Sequence, residues 1–149
     1  MRFVVQRVTS ASCTVDGTVT GKIENGFVVL VGIADSDTRQ IADKMVKKLI
    51  GLRIFADAEG KTNLALADVD GGLLVISQFT LYADCKKGNR PSFTRAGKPE
   101  FANEMYEYIL TACKNEIPVV ERGIFGADMK IELLNDGPFT ILLDSDEIC

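Results

Sequence analysis

The stretch LLVISQFTLY, Leu73–Tyr82, decides how the chain is read. Leu73, Leu74, Val75 and Ile76 make an unbroken apolar run, the pattern of a strand covered on both faces. The run leads straight into Ser77, Gln78, Phe79 and Thr80 before the chain turns apolar again. A hydroxyl or amide buried without a partner costs roughly 1–3 kcal/mol. Ser77, Gln78 and Thr80 therefore stand either at a solvated strand end or at a site. The whole segment is expected to be strand, launched by the Gly71-Gly72 break.

Upstream, Arg2–Val8 and Ser12–Asp16 are rich in β-branched residues and read as strands. Asp16-Gly17 is a hairpin signal, Thr18–Ile23 the return strand, and Asn25-Gly26 a second turn. Phe27–Ile33 (FVVLVGI) is again continuously apolar and reads as central. This part of the chain predicts an antiparallel meander. Asp37 and Gln40 fit an Asp-x-x-Gln cap, after which Ile41, Met45, Leu49 and Leu52 recur at helical spacing. Arg53–Ala56 predicts a short strand before the Asp57–Gly60 turn, and Asn63–Asp68 is ambiguous.

Downstream of Tyr82 the composition shifts. Lys86, Lys87, Arg90, Arg95 and Lys98 follow one another with no acid between Cys85 and Pro99. This is either a solvated loop or a local anion site suited to phosphates. Pro99 suits the first turn of a second helix, with Phe101, Met105, Tyr108, Ile109 and Ala112 as its apolar stripe, ending near Asn115. Pro118–Ile124 and Met129–Leu134 read as strands. Asn135–Pro138 is a dense turn cluster, and Phe139–Asp144 the last strand. Gly137-Pro138 reads as an ordinary hairpin turn or as a cis bond, whose carbonyls point where a trans bond could not aim them.

Composition narrows the chemistry. At 149 residues one domain, 1–149, is expected, large enough to bury about 68–70% of its unfolded surface. No apolar run approaches a membrane span, and Met1-Arg2-Phe3 enters a strand pattern rather than a signal peptide. Cys13, Cys85, Cys113 and Cys149 form no CxxC pair, so free thiols of a cytoplasmic protein are expected, with no metal site and no cofactor. There is no histidine. That removes Ser-His-Asp and Cys-His nucleophiles and histidine acid–base catalysis. The chemistry must come from backbone groups, hydroxyls, carboxylates, Lys and Arg, or the substrate. A net charge of −4 argues against broad binding to nucleic-acid duplexes but not against reading one short end.

SQFTL (Ser77–Leu81), KGNRPSF (Lys87–Phe93) and NDGPFT (Asn135–Thr140), in this order, resemble the D-aminoacyl-tRNA deacylase family. QRVTSASCTVDG (Gln6–Gly17) and FGADMKIELLNDGP (Phe125–Pro138) are similar to the same family, so the resemblance spans essentially the whole chain. It implies an α/β fold, a compact mixed-sheet barrel-like structure with two main helices. It implies a homodimer that hydrolyses the ester between a D-amino acid and the 3′-terminal adenosine of tRNA, and that removes glycine from alanine tRNA. Ser77, Gln78, Phe79 and Thr80 would line the acyl pocket. Gly137-Pro138, with a cis peptide, would enter the partner's pocket, so that each site is built from two chains.

The residues suit such a role. Backbone amides around Phe79 and Thr80 could form an oxyanion hole, a device worth ~10²–10³ in rate per donor. Thr80 Oγ1 is a nucleophile candidate without an evident base, and the alternative, favoured here, is that the ribose 2′-OH of the substrate orients or activates water. A carbonyl wall at Gly137-Pro138 would clash with an L side chain and leave a D side chain or glycine free. Arg7 either holds that Gly-Pro loop through its carbonyls or is a surface-strand arginine. Lys86, Lys87 and Arg90 become candidate tRNA phosphate contacts. Two rival readings are a non-enzymatic dimeric binding module for a nucleotide or amino acid, and a hydrolase of other small acyl esters.

Overall fold

A computed structural model describes residues 1–149. Its organising element is β1, Arg2–Val15, one bent strand where the sequence predicts two. Thr9 and Ser10 interrupt the apolar pattern, but Ser10 still pairs with Leu134, and the interruption survives only as register shifts around Val8. The Asp16-Gly17 hairpin forms as expected, with φ of 48° and 78°, the left-handed pair that a two-residue turn between twisted strands requires. It leads into β2, Thr18–Ile23, which pairs with Ala11–Val15.

The predicted meander does not form. Asn25-Gly26 fails to reverse the chain: β3, Gly26–Gly32, continues in the direction of β2 and pairs with Arg2–Val8 of the same strand. Gly26 makes the bend at φ +156°, and its α-carbon lies against the Gly72 carbonyl, where a Cβ would collide with backbone. The segments β2 and β3 thus share one edge of β1, and the opposite edge belongs to β8, Lys130–Asp144.

Beyond β3 the sheet becomes mixed. The helix α1 (Arg39–Ile50) crosses over to the small ribbon of β4 (Phe55–Ala56) and β5 (Thr62–Leu64), and a 3₁₀ turn at Leu66–Val69 resolves the ambiguous segment. Then β6, Gly72–Ser77, lies parallel to β3, and β7, Val120–Arg122, parallel to β6. The Thr20 hydroxyl donates to the Arg122 carbonyl at 3.3 Å, bringing β2 to β7 and curling the sheet into a nearly closed barrel. Alternate residues of β3 and β6 enter two cores. Phe27, Val29, Leu73 and Val75 meet the helices, while Val28, Leu74 and Ile76 pack with Val8 and Cys13 inside the barrel. This double burial is why neither strand alternates with polar residues.

Three helix details differ from expectation. Thr38, not Asp37, caps α1 by accepting from the Ile41 amide at 3.2 Å, because Asp37 is drawn inward to the Met1 amino group. The buried stripe of α2 (Pro99–Lys114) runs through Tyr106 rather than Tyr108; the Tyr106 hydroxyl donates to the buried Val75 carbonyl at 2.7 Å. Burial away from water pushes its ionisation up to about 12, so it stays a donor. A short α3, Ser145–Ile148, was not predicted; Asp144 caps it. No helix is long and apolar enough to cross a membrane.

Candidate functional site

The apolar run ends as strand at Ser77, five residues before Tyr82, correcting the prediction of one strand over Leu73–Tyr82. The Gln78 amide makes the last strand contact, to the Val31 carbonyl at 2.7 Å, and the chain then coils into a single 3₁₀ turn, Phe79–Tyr82. Leu81 and Ala83 donate back to the Gln78 and Thr80 carbonyls at 3.3 and 3.0 Å. The amides of Phe79 and Thr80, at the start of the turn, have no acceptor within the chain. Such paired donors suit a developing oxyanion. Of the two sequence alternatives, the polar residues stand at a solvated strand end: Ser77 and Gln78 are half-buried and Thr80 is exposed, as is the apolar Phe79. That end also opens onto a cleft.

The Thr80 hydroxyl accepts from Gln78 Nε2 at 2.6 Å, and no carboxylate or amine hydrogen-bonds to it. A hydroxyl placed this way is held, not deprotonated.

Ser77, Gln78 and Phe79 line a cleft of about 780 Å³ floored by Val31, Ile33 and Ile76. Its walls come from Phe93–Pro99 on one side and Phe125–Met129 on the other. Of the first wall the sequence singles out only Arg95 and Lys98, as part of the basic stretch, and the second wall lies in the motif FGADMKIELLNDGP without being read as site. Phe79 meets Phe93 edge-on, ring centroids 4.9 Å apart, tying the turn to the basic loop. That loop is pinched at its base by paired amide–carbonyl bonds between Asp84 and Ser92, at 2.7 and 2.9 Å. Lys86, Lys87 and Arg90 lie in the excursion, exposed and without an acidic partner, on the rim beyond Phe93.

Gly137 and Pro138 form a separate cluster. Asn135–Pro138 was expected to turn the chain between two strands, but the direction does not change. Asn135 pairs with Val8 and Thr140 with Gln6, so residues 136–139 bulge out of one strand opposite Arg7. Asn135 closes the neck: its Oδ1 accepts from the Phe139 amide at 2.6 Å and its Nδ2 donates to the Thr140 hydroxyl at 3.1 Å. Turn chemistry here makes a loop-out rather than a hairpin, because β1 offers pairing on both sides of it. The Gly137–Pro138 peptide is cis, both residues are exposed, and Gly137 has φ +141°. Arg7 donates to the Asp136 carbonyl at 2.9 Å and to the Ile54 carbonyl, and its guanidinium covers the Phe139 ring at 4.5 Å.

The two clusters do not meet within one chain. Arg7 pairs with Phe27 and Phe27 with Leu73, so the Gly137 bulge stands level with Leu73 on β6. Ser77 is four residues further along, and three strand spacings separate β8 from β6. Sheet geometry makes that about 13 Å along and about 14 Å across. No residue of the bulge lines the cleft.

Comparisons with known proteins fall on one family. The family model described as D-Tyr-tRNA(Tyr) deacylase matches residues 4–144. The D-aminoacyl-tRNA deacylase of Thermosipho africanus (strain TCF52B) is 49% identical over 148 residues, 99% of either chain. Among solved structures, the c-Myc DNA unwinding element binding protein superposes with a TM-score of 0.91 at 39% identity, covering 97% of this chain and 98% of that one. A probable eukaryotic D-amino acid tRNA deacylase gives 0.81 at 16% identity over 95% and 97%, a likeness of fold.

Proposed function

This chain belongs to the D-Tyr-tRNA(Tyr) deacylase family and is a D-aminoacyl-tRNA deacylase, a hydrolase, and on that premise we propose how its residues carry out the reaction. The whole chain, 1–149, acts as one domain. The ester joining a D-amino acid, or glycine mischarged on alanine tRNA, to the terminal adenosine sits at the cleft mouth beside Ser77–Thr80. As water attacks, negative charge collects on the carbonyl oxygen and is bound by the Phe79 and Thr80 amides. The observation that carries this reading is that these two donors have no acceptor in the chain while the rest of their turn is bonded. Thr80 is a positioning residue, and the substrate's 2′-OH orients the water, since the Thr80 hydroxyl meets an amide and not a base.

The site is completed by a second copy. Gly137-Pro138 is too far from Ser77 to act in its own chain, yet it protrudes into solvent as a braced loop. In a homodimer this loop enters the partner's cleft, and its backbone blocks the position an L side chain would take. An exposed, unpaired β8 edge carrying Leu134 and Leu142, 56% and 59% exposed, supports a self-association surface. The outcome is chiral proofreading of aminoacyl-tRNA. The family assignment sets aside the binding-module reading. A small-ester hydrolase would cleave free D-amino-acid esters as fast as the tRNA ester.

Release of D- and L-tyrosine from charged tRNA tests the function. D-tyrosine is expected at least ~10²-fold faster; equal rates overturn the reading. Thr80→Ala is expected to keep turnover within about 3-fold, whereas an activated nucleophile would lose the ~10²–10⁴ typical of a deleted acid–base or attacking group.

The basic loop contacts tRNA phosphates. Neutralising Lys86, Lys87 and Arg90 together to Gln is expected to weaken tRNA binding and to flatten the slope of log K against log salt by about 2–3, near one unit per lost phosphate contact. An unchanged slope places the tRNA elsewhere.

A further inference from the structure

One arginine joins the oxyanion turn to the far end of the chain. Arg2 is the second residue of β1, and its Nε donates to Asp144 Oδ2 at 2.9 Å. Its Nη1 donates to the Leu81 carbonyl at 2.9 Å, inside the 3₁₀ turn Phe79–Tyr82. Its guanidinium carbon stands 4.7 Å from the centre of the Tyr82 ring. The Leu81 carbonyl receives no backbone donor, so Arg2 is its one partner in the chain. Asp144 is fixed in turn: its Oδ1 accepts from the Asp146 amide at 3.1 Å, capping α3, and its backbone is paired with Arg2 across the two strands.

The arrangement is a bracket with one rigid side. Two of the three Arg2 guanidinium nitrogens, Nε and Nη1, are engaged, and Arg2 and Asp144 are partly buried, their side chains 26% and 15% exposed. The turn it holds is otherwise thinly secured. A single turn of 3₁₀ helix has poor hydrogen-bond geometry of its own, and Phe79 and Thr80 are exposed. Tyr82 anchors the turn's end against β3, where its ring carbons lie under Gly32. Between that anchor and Gln78 at its start, Leu81 is the point at which the turn can be pulled into a fixed pitch.

We infer that Arg2 is a positioning residue for deacylation: braced by Asp144, it fixes the Phe79–Tyr82 turn through the Leu81 carbonyl and the Tyr82 ring, and so aims the Phe79 and Thr80 amides. This rests on the assignment of those amides to the oxyanion. Arg2 itself touches neither substrate nor water. Its effect therefore falls on the step in which charge develops and not on tRNA binding, which the cleft and the basic loop provide. Lysine cannot replace it, because one ammonium has no planar fork to serve Asp144 and Leu81 while lying on Tyr82.

The test uses the full chain with Arg2→Ala and Arg2→Lys, reading kcat and KM on D-tyrosyl-tRNA and amide hydrogen exchange. Arg2→Ala is expected to lower kcat about 10- to 100-fold, the scale of a roughly 1 Å misplacement of catalytic groups, with KM within about 3-fold. Exchange should quicken at Leu81 and Ala83 but not at Val29 or Val75 of the core strands. Arg2→Lys should fall between, and added methylguanidine should restore part of the Arg2→Ala kcat. If neither kcat nor exchange at Ala83 changes, Arg2 does not hold the turn, and the oxyanion assignment stands without it. If exchange quickens while kcat is unchanged, the amides are not the oxyanion donors and the inference falls with them. Equal loss of kcat together with faster exchange at Val29 and Val75 would mean general unfolding and also overturns it.

Discussion

Gly137→Ala is expected to cut D-tyrosyl-tRNA deacylation at least ~10²-fold while costing only about 1–2 kcal/mol of stability. At φ +141° an L residue is held where its side chain rarely fits. A Cβ there would stand 3.1 Å from the Phe139 nitrogen and 3.2 Å from Arg7 Nη2. The first neighbour is backbone, fixed by its bond to Asn135, so the loop must shift as a whole. It can do so cheaply because residues 136–138 are exposed, which is why stability falls little. Function has no such tolerance, since a misplacement of about 1 Å in a positioning group costs roughly 10²-fold. The same shift would move the wall proposed to exclude L side chains, so the D over L ratio should shrink as well. The sedimentation coefficient, which reads the proposed homodimer, should stay unchanged. Normal activity and selectivity would remove Gly137 from the site.

The bulge at Gly137 and the bend at Gly26 also show where sequence reading stops. Asn25-Gly26 and Asn135–Pro138 carry turn chemistry; the first reads as a reversal, the second as a hairpin turn or a cis bond, and the cis bond forms without a reversal. A local signal says that the backbone must bend; whether the chain returns depends on what lies alongside. In both cases β1 lies alongside, long enough to take up the chain again beyond the bend. The site shows the same division. Ser77–Thr80 stood out because polar groups interrupt an apolar run, and the lack of histidine turned attention to backbone donors. The break of the strand at Ser77 was hidden, because Phe79, Leu81 and Tyr82 keep the composition of a strand while forming a 3₁₀ turn. The walls at Phe93–Pro99 and Phe125–Met129 were hidden for another reason. Apart from the basic Lys98 their lining residues have no distinctive chemistry, and they come together because they follow β6 and β7, parallel neighbours that α2 separates in the chain.

Asp37→Ala is expected to cost about 3–5 kcal/mol of stability, the range for removing one partner of a buried ion pair. Asp37 Oδ1 lies 2.7 Å from the Met1 amino nitrogen, and the two side chains are 2% and 0% exposed. Without the carboxylate, the ammonium keeps only the Ser145 hydroxyl, also at 2.7 Å. At roughly 2–4 °C per kcal/mol for a chain of this size, Tm should fall by about 6–20 °C. Asp37→Asn, which keeps an acceptor of the same shape, should fall less. A loss of Asp37→Ala within ~1 kcal/mol would show that water reaches the pair. The damage should also reach the cleft. Asp37 Oδ2 accepts from the Ala34 amide at 2.8 Å, fixing the segment that follows β3. That segment holds one wall, since the Ile33 carbonyl and Asp35 Oδ1 accept from the Gly97 and Lys98 amides, each at 2.8 Å. Well below its lowered Tm, Asp37→Ala should therefore show a raised KM, and a KM equal to that of the parent would confine the ion pair's role to holding the fold.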